Sequence, residues 1–217
     1  MSEPIQIRSA TIADAAALLA IYRPFVEVSA VSFEVVAPTV EQFGARIAKA
    51  VDGWAWLVAE RDGECIGYAY GSTHRERAAY RWSVEVSAYV QASHHRQGVG
   101  SALYRALFEI LASKGFCNAY AGITLPNAAS VALHRGLGFQ SIGVFKAVGR
   151  KFGKWHDVGS SRARPEGPNL LYVQAGDTGP RSRHGLFEWN IEPPVGVGRD
   201  ATMERGVADL DCEPHVS

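Results

Sequence analysis

Three cysteines in 217 residues, Cys65, Cys117 and Cys212, are odd in number and widely spaced. A disulfide framework or a zinc site needs paired or clustered cysteines, so both are disfavoured, and a reducing compartment is expected. Long apolar runs are missing as well. None approaches the ~18 residues needed to cross a bilayer, and the N-terminus lacks the basic and apolar regions of a secretory leader. Nor is there an excess of either charge: Lys+Arg and Asp+Glu are both 22. Bulk electrostatics therefore gives no case for nucleic acid or an anionic membrane. Two phosphate-binding signatures are absent, the G-x-x-x-x-G-K-[ST] P-loop and the dinucleotide G-x-G-x-x-G. These absences leave a soluble, cytoplasmic protein with no metal requirement as the expectation.

What is present reads as one mixed domain followed by a different kind of chain. Gln6-Ile7-Arg8 is a first strand. Thr11 to Asp14 and Thr39 to Gln42 resemble capping boxes opening two helices, the first limited by Pro24. Apolar residues at helical spacing, Ile12, Ala15, Leu19, Tyr22 and then Val40, Phe43, Ile47, Val51, give each a buried stripe. Residues 54–60 and 66–71 flank Asp62-Gly63, a hairpin signal. A strand through Glu85, a helix from residue 102 to Lys114-Gly115, a strand at 119–124, a short helix opened by Asn127 and two last strands (139–148 and 154–158) follow. The order β-α-α-β-β-β-α-β-α-β-β places antiparallel hairpins first and one β-α-β crossover after them. This predicts an α+β fold with a mixed, mostly antiparallel central sheet flanked by helices. The domain is drawn at residues 1–159. Residues 160–217 hold six of the ten prolines and no lysine, and are expected to form a largely irregular tail with apolar clusters at 170–173 and 186–191.

The segment with most chemical content is His95-Arg96-Gln97-Gly98-Val99-Gly100-Ser101, between the Glu85 strand and an amphipathic helix. Glycines let a backbone approach phosphate oxygens, the first N–H groups of a helix donate to them, and a neighbouring Arg adds charge. A turn of this type serves equally as an ordinary strand-to-helix connection, so its weight depends on what surrounds it.

Those surroundings carry a resemblance. Tyr89-Val90 before the turn, Asn127 opening a helix, and Leu133-His134-Arg135-Gly136-Leu137-Gly138-Phe139 resemble, in order and spacing, the GCN5-related N-acetyltransferase (GNAT) superfamily, whose co-substrate is acetyl-CoA. Ser32-Phe33-Glu34, Tyr80 to Glu85, Leu125-Pro126-Asn127 and Gly153 to Gly159 resemble the phosphinothricin and methionine sulfoximine N-acetyltransferase subgroup. The likeness covers roughly residues 5–159. Two departures stand out: His95 replaces the usual Gln or Arg, and Ser160-Ser161-Arg162-Ala163-Arg164 replaces the apolar and aromatic residues common after the last motif.

The resemblance implies roles. Ala88, Tyr89 and Val90 would run along the pantetheine arm, with the Val90 amide polarising the thioester carbonyl. Amides of Arg96, Gln97, Gly98, Val99, Gly100 and Ser101 would hold the pyrophosphate, and Asn127 would reach the cofactor or simply cap its helix. Glu85 would accept the ammonium proton of the amine, and His134 would handle a proton near the leaving thiolate. Phe33, Arg75, Glu76, Arg77, Glu85, Val86 and Ser87 would line the substrate site, the arginines meeting carboxylate or phosphinate oxygens. His74 is read as a strand-end residue, with a place in the pocket lining as the lesser alternative, and His94, His95 and His156 receive no catalytic role. The implied activity is acetyl transfer to the α-amine of phosphinothricin, methionine sulfoximine or methionine sulfone, in a homodimer. Acetylation of another small amine, or a non-catalytic acyl-CoA-binding module, stands as the alternative.

Overall fold

The computed structural model describes residues 3–165. Its strands are β1 (Gln6–Ser9), β2 (Trp56–Arg61), β3 (Glu64–Thr73), β4 (Ser83–Val90), β5 (Asn118–Leu125), β6 (Gln140–Lys151) and β7 (Lys154–Ala163). They form a seven-stranded sheet in the order β1-β2-β3-β4-β5-β7-β6. Every neighbouring pair is antiparallel except β4 and β5. The helices α1 (Ala15–Glu27), α2 (Val40–Gly53), α3 (Val99–Ser113) and α4 (Ala128–Gly136) flank it. This is the expected α+β order. None of the described helices is long and apolar enough to cross a membrane.

Period-2 alternation divides the core in two. Val84, Val86, Ala119 and Ala121 point to the α3 side, where Val99, Leu103, Tyr104, Leu107, Phe108 and Leu111 form a buried stripe. Each large apolar side chain removed from water there contributes about 1.5–3 kcal/mol. Trp56, Val58 and Tyr68 point to the other face and pack under α1 and α2. There Trp56 and Tyr70 stack with centroids 4.3 Å apart, and Tyr89 meets Tyr22 edge-on at 4.9 Å.

Several sequence expectations are corrected. Pro24 does not limit α1, which continues to Glu27. Pro24 and Ala20 both lie on the exposed side, so the carbonyl that loses its partner to proline can be hydrated. Ile12, Val40 and Val51 are exposed, so the buried stripes are narrower than the pattern suggested. β7 continues past Gly159: Ser160, Ser161, Arg162 and Ala163 pair with Gly122, Ala121, Tyr120 and Ala119. Ser161 and Ala163 are buried, which explains why the folded chain runs beyond the residue-159 boundary. The clusters at 170–173 and 186–191, and Cys212, lie outside the described residues.

Candidate active site

The sheet opens between β4 and β5. These strands pair only at Ser83, Val84 and Glu85, opposite Asn118, Ala119 and Tyr120, whereas β4 stays paired with β3 as far as Val90. From Val86 to Val90, alternate backbone groups therefore face a gap. The Gln91 N–H bonds the Ile66 carbonyl on β3 at 3.0 Å, so alternation turns the Val90 N–H toward the gap. The Val90 carbonyl, which faces the same side, is already used: His95 Nε2 lies 3.0 Å from it and donates to it.

Glu85 is the last β4 residue before this opening. It is half-buried, and its Oε2 lies 2.9 Å from His74 Nδ1. Oε1 points toward β5 and lies 3.7 Å from the place a Cβ would occupy at Gly122. Paired residues share a face, which puts Glu85, Tyr120, Gly122, Val158 and His156 together on the α1/α2 side. Ser87 shares it, opposite Tyr70. Val86 is buried on the α3 side, so any contact it makes with a substrate runs through its backbone.

The turn from Arg96 to Ser101 closes the other end of the gap. Gly98 has φ +83 and Arg96 φ +58, a left-handed pair that turns the chain sharply into α3. Among the described residues no side chain caps that N-terminus, and the space over Gly98 is open, so the first amides of α3 point outward with the positive end of its dipole. The Gln97 side chain is used internally, accepting from Arg61 at 2.6 Å and donating to the Ser93 carbonyl at 2.9 Å, so the turn can offer a ligand only the Gln97 backbone. Tyr89 likewise spends its side chain in the aromatic cluster. A half-open strand edge leading to an uncapped helix N-terminus suits an extended amide-bearing chain ending in a diphosphate, the shape and chemistry of acetyl-CoA.

Asn127 caps α4 through Oδ1, which accepts from the Ser130 N–H at 3.1 Å; its amide NH2 remains the donor a ligand would meet. His134 lies in the last turn of α4. It is 7% exposed. Its Nδ1 lies 2.8 Å from the Ser130 carbonyl, which can only accept, so Nδ1 carries the proton. Nε2 is then an acceptor and takes the Tyr104 hydroxyl at 3.0 Å. Burial lowers the His134 pKa, opposed by the Ser130 carbonyl, and burial pushes the Tyr104 phenol far above its ordinary range. Both ring nitrogens thus have partners in this geometry, and the contacts tie α4 to α3.

Arg75, Glu76 and Arg77 are all exposed on the loop between β3 and β4, with the Arg75 guanidinium 5.7 Å from the Tyr80 ring centre. His74 links the start of this loop to Glu85. Phe33, 38% exposed, comes from the connection between α1 and α2 and lies across Gly149, where any side chain would collide with its ring. Sequence reasoning missed the group that fixes this segment. Lys151, only 5% exposed, donates from Nζ to the carbonyls of Val26 and Ser32, each at 2.6 Å. Val26 lies in the last turn of α1, so the ammonium caps that helix as well as pinning the residue before Phe33. Tyr22, Ser32, Glu34 and Arg46 complete the anchor, with Tyr22 Oη 2.6 Å from Ser32 Oγ and Arg46 paired to Glu34. Elsewhere, Asp14, Glu60 and Cys65 converge, but Arg8 bridges the two carboxylates and already supplies the cation there.

Residues 7–159 match the acetyltransferase (GNAT) domain family. Phosphinothricin N-acetyltransferase from Streptomyces viridochromogenes is 41% identical over 156 residues, covering 72% of this chain and 85% of that protein. L-methionine sulfoximine/L-methionine sulfone acetyltransferase from Pseudomonas aeruginosa is 36% identical over 154 residues, covering 70% and 90%. Among solved structures, a phosphinothricin acetyltransferase from Sinorhizobium meliloti in complex with acetyl-CoA has TM-score 0.72 and 33% identity, covering 75% of this chain and 89% of that one. A ribosomal-protein-alanine N-acetyltransferase from Brucella melitensis has TM-score 0.71 and 38% identity, covering 73% and 99%. The chain belongs to the GNAT acetyltransferase family and is an acetyl-CoA-dependent N-acetyltransferase.

Proposed function

We propose that this enzyme acetylates the α-amine of small amino acid analogues of the phosphinothricin, methionine sulfoximine and methionine sulfone type, a detoxifying reaction in the cytoplasm. The observation that carries the reading is the position of Glu85, a carboxylate at the last paired residue before the sheet opens, on the face opposite α3. Acetyl-CoA supplies the activated acetyl thioester. The backbone of Ala88 to Val90 aligns its arm, the Val90 N–H donates to the thioester oxygen, and the amides of Arg96 to Ser101 receive the diphosphate, with Asn127 donating from its NH2 group. Glu85 Oε1 takes the proton of the incoming ammonium, directly or through water, freeing the lone pair that attacks. Arg75 and Arg77 meet the substrate's carboxylate and its phosphinate or sulfone oxygens, with Glu76, Val86 and Ser87 beside them and Phe33 against the alkyl end. His134 holds α4 in register, and the second proton shed by the nitrogen of the tetrahedral adduct passes through water to the departing thiolate, so that the amide and free CoA thiol form together.

We also assign a homodimer. Among the described residues β6 is one of the sheet's two edge strands, and it carries Ile142, Val144, Phe145 and Val148 exposed, with Phe152 and Trp155 beside them. An apolar edge of this kind is normally covered.

The test is free-thiol release from acetyl-CoA across phosphinothricin, methionine sulfoximine, methionine sulfone, unmodified amino acids, a polyamine and an alanine-initiated peptide. The three analogues should give the highest kcat/KM. Preference for the peptide or the polyamine would overturn the substrate class. Glu85→Gln should lower kcat by about 10²-fold or more, the usual share of a general base. Unchanged kcat/KM across the pH range would remove Glu85 from that role.

A further inference from the structure

Glu85 does not stand alone at the opening. His74, the first residue after β3, reaches back over β4 so that Nδ1 lies 2.9 Å from Glu85 Oε2. Its ring is fixed independently. It stacks on Tyr120 of β5 with centroids 4.1 Å apart and planes 12° from parallel, and it meets the Tyr80 ring edge-on at 6.1 Å. The side chain is only 16% exposed. Three separate segments, the end of β3, the turn at Tyr80 and β5, therefore converge on the orientation of one imidazole.

The chemistry of the contact sets its direction. An ionised carboxylate only accepts, so Nδ1 must carry the proton; the other neutral tautomer would press two lone pairs together. A donor fixed on Oε2 takes one oxygen of Glu85 out of use and fixes the carboxylate plane. The other oxygen, Oε1, is then turned toward Gly122, where the missing side chain leaves room beside the opening. We infer that His74 is the positioning residue for Glu85, holding Oε2 so that Oε1 alone faces the amine. This rests on the reading of Glu85 as the base. His74 itself touches no reacting atom in this scheme.

Two substitutions separate the donor from the stacking ring. His74→Phe keeps an aromatic ring on Tyr120 but cannot donate, whereas His74→Gln can donate through its amide. The assay is steady-state acetyl transfer to methionine sulfone, with the melting temperature measured alongside. His74→Phe should lower kcat about 10-fold, part of the 10²- to 10⁴-fold share of a positioned base. The KM for acetyl-CoA should stay within about 2-fold, as expected when only transition-state positioning is lost. His74→Gln should recover kcat to within about 3-fold of the parent, since the donor is restored. In a Glu85→Gln background, His74→Phe should cost nothing further, because a residue acting only through another is silent once that other is gone.

Equal losses from His74→Phe in both backgrounds would overturn the inference while leaving Glu85 as the base. So would a His74→Gln enzyme no faster than His74→Phe, or an unchanged kcat in His74→Phe. Full activity in Glu85→Gln alone would instead refute the reading of Glu85, and the positioning role with it. A fall in melting temperature in both His74 variants, with kcat per folded enzyme preserved, would show that the contact is structural only.

Discussion

Replacing Lys151 by Met tests whether one buried ammonium organises the amine side of the site. The side chains have similar length and bulk, so the change removes the donors more than the packing. In the parent, Nζ satisfies the Val26 and Ser32 carbonyls at 2.6 Å each. Leaving a buried acceptor unpaired costs about 1–3 kcal/mol, so two give about 2–6 kcal/mol gross. Part is offset because the variant no longer buries a charge. A net loss of about 2–4 kcal/mol follows. At roughly 2–4 °C per kcal/mol for a domain of this size, the melting temperature should fall by about 5–15 °C. The kinetic signature is selective. Ser32 precedes Phe33, so the KM for methionine sulfone should rise about 5-fold or more while that for acetyl-CoA stays within about 2-fold, since only uniform amine binding is lost. A melting temperature within about 2 °C of the parent would refute the anchor, because two broken buried bonds cannot cost so little.

The same residue predicts a pH dependence whose sign is fixed. Burial lowers the Lys151 pKa, with Glu34 opposing. Between the lowered folded value and the ordinary lysine value, the unfolded chain binds more protons than the folded one, so stability from this group rises with pH. Below that window the cost of the buried charge is fully present. The parent's advantage over Lys151→Met in urea unfolding should therefore widen as the pH is raised through the window.

Two further outcomes bear on the site and its boundary. His134→Gln should lower stability but keep kcat per folded enzyme within about 3-fold, against the 10²- to 10⁴-fold loss expected if the imidazole were a general acid. Because burial lowers the His134 pKa, acidification through the interval between its folded value and the ordinary imidazole value should destabilise the parent but not the variant. A chain ending at Pro165 should fold and bind acetyl-CoA, followed by intrinsic fluorescence. One ending at Gly159 removes the β7 residues that pair with Ala119 to Gly122 and should melt lower or fail to fold. Equal melting temperatures would mean that those four residues contribute nothing to the sheet.

Local patterns made the fold readable. Asp62-Gly63 has the two positive φ angles its hairpin requires, and Thr39 and Gln42 form the predicted capping box. The end of β7 is hidden in the sequence because Ser160, Ser161 and Arg162 look like tail; they are a strand because β5 and β6 lie on either side. Glu85 and the turn at Gly98 were found because their motif lies in one stretch of chain. Lys151 was not, since its acceptors are 125 and 119 residues away and a lysine beside a hairpin turn ordinarily reads as solvated. His74 reads from the sequence as a strand-end residue and its partner is not visible there, because register, not spacing, brings it against Glu85. For His134 the local bond to Ser130, four residues back, was available in the sequence; the partner that fixes its tautomer, Tyr104, lies on another helix.

The β6–β7 hairpin gives a final prediction, because one element carries two functions. Its inner side seats Phe33 on Gly149 and holds Lys151, while exposed apolar side chains lie along its edge. If that edge pairs with a second copy, the partner bears on the element that positions the amine side of the site. The α3 N-terminus, where acetyl-CoA's diphosphate is expected, belongs to another part of the sheet. Val144→Lys puts a charge on the free edge, at a position paired with Gly159 and so on the face away from Glu85. The substitution should shift the protein to monomer by light scattering. The monomer should have a higher KM for methionine sulfone and an unchanged KM for acetyl-CoA. A variant that stays dimeric would place the interface elsewhere. A monomer with unchanged KM for both substrates would show that Lys151 and Gly149 hold Phe33 without help from a partner.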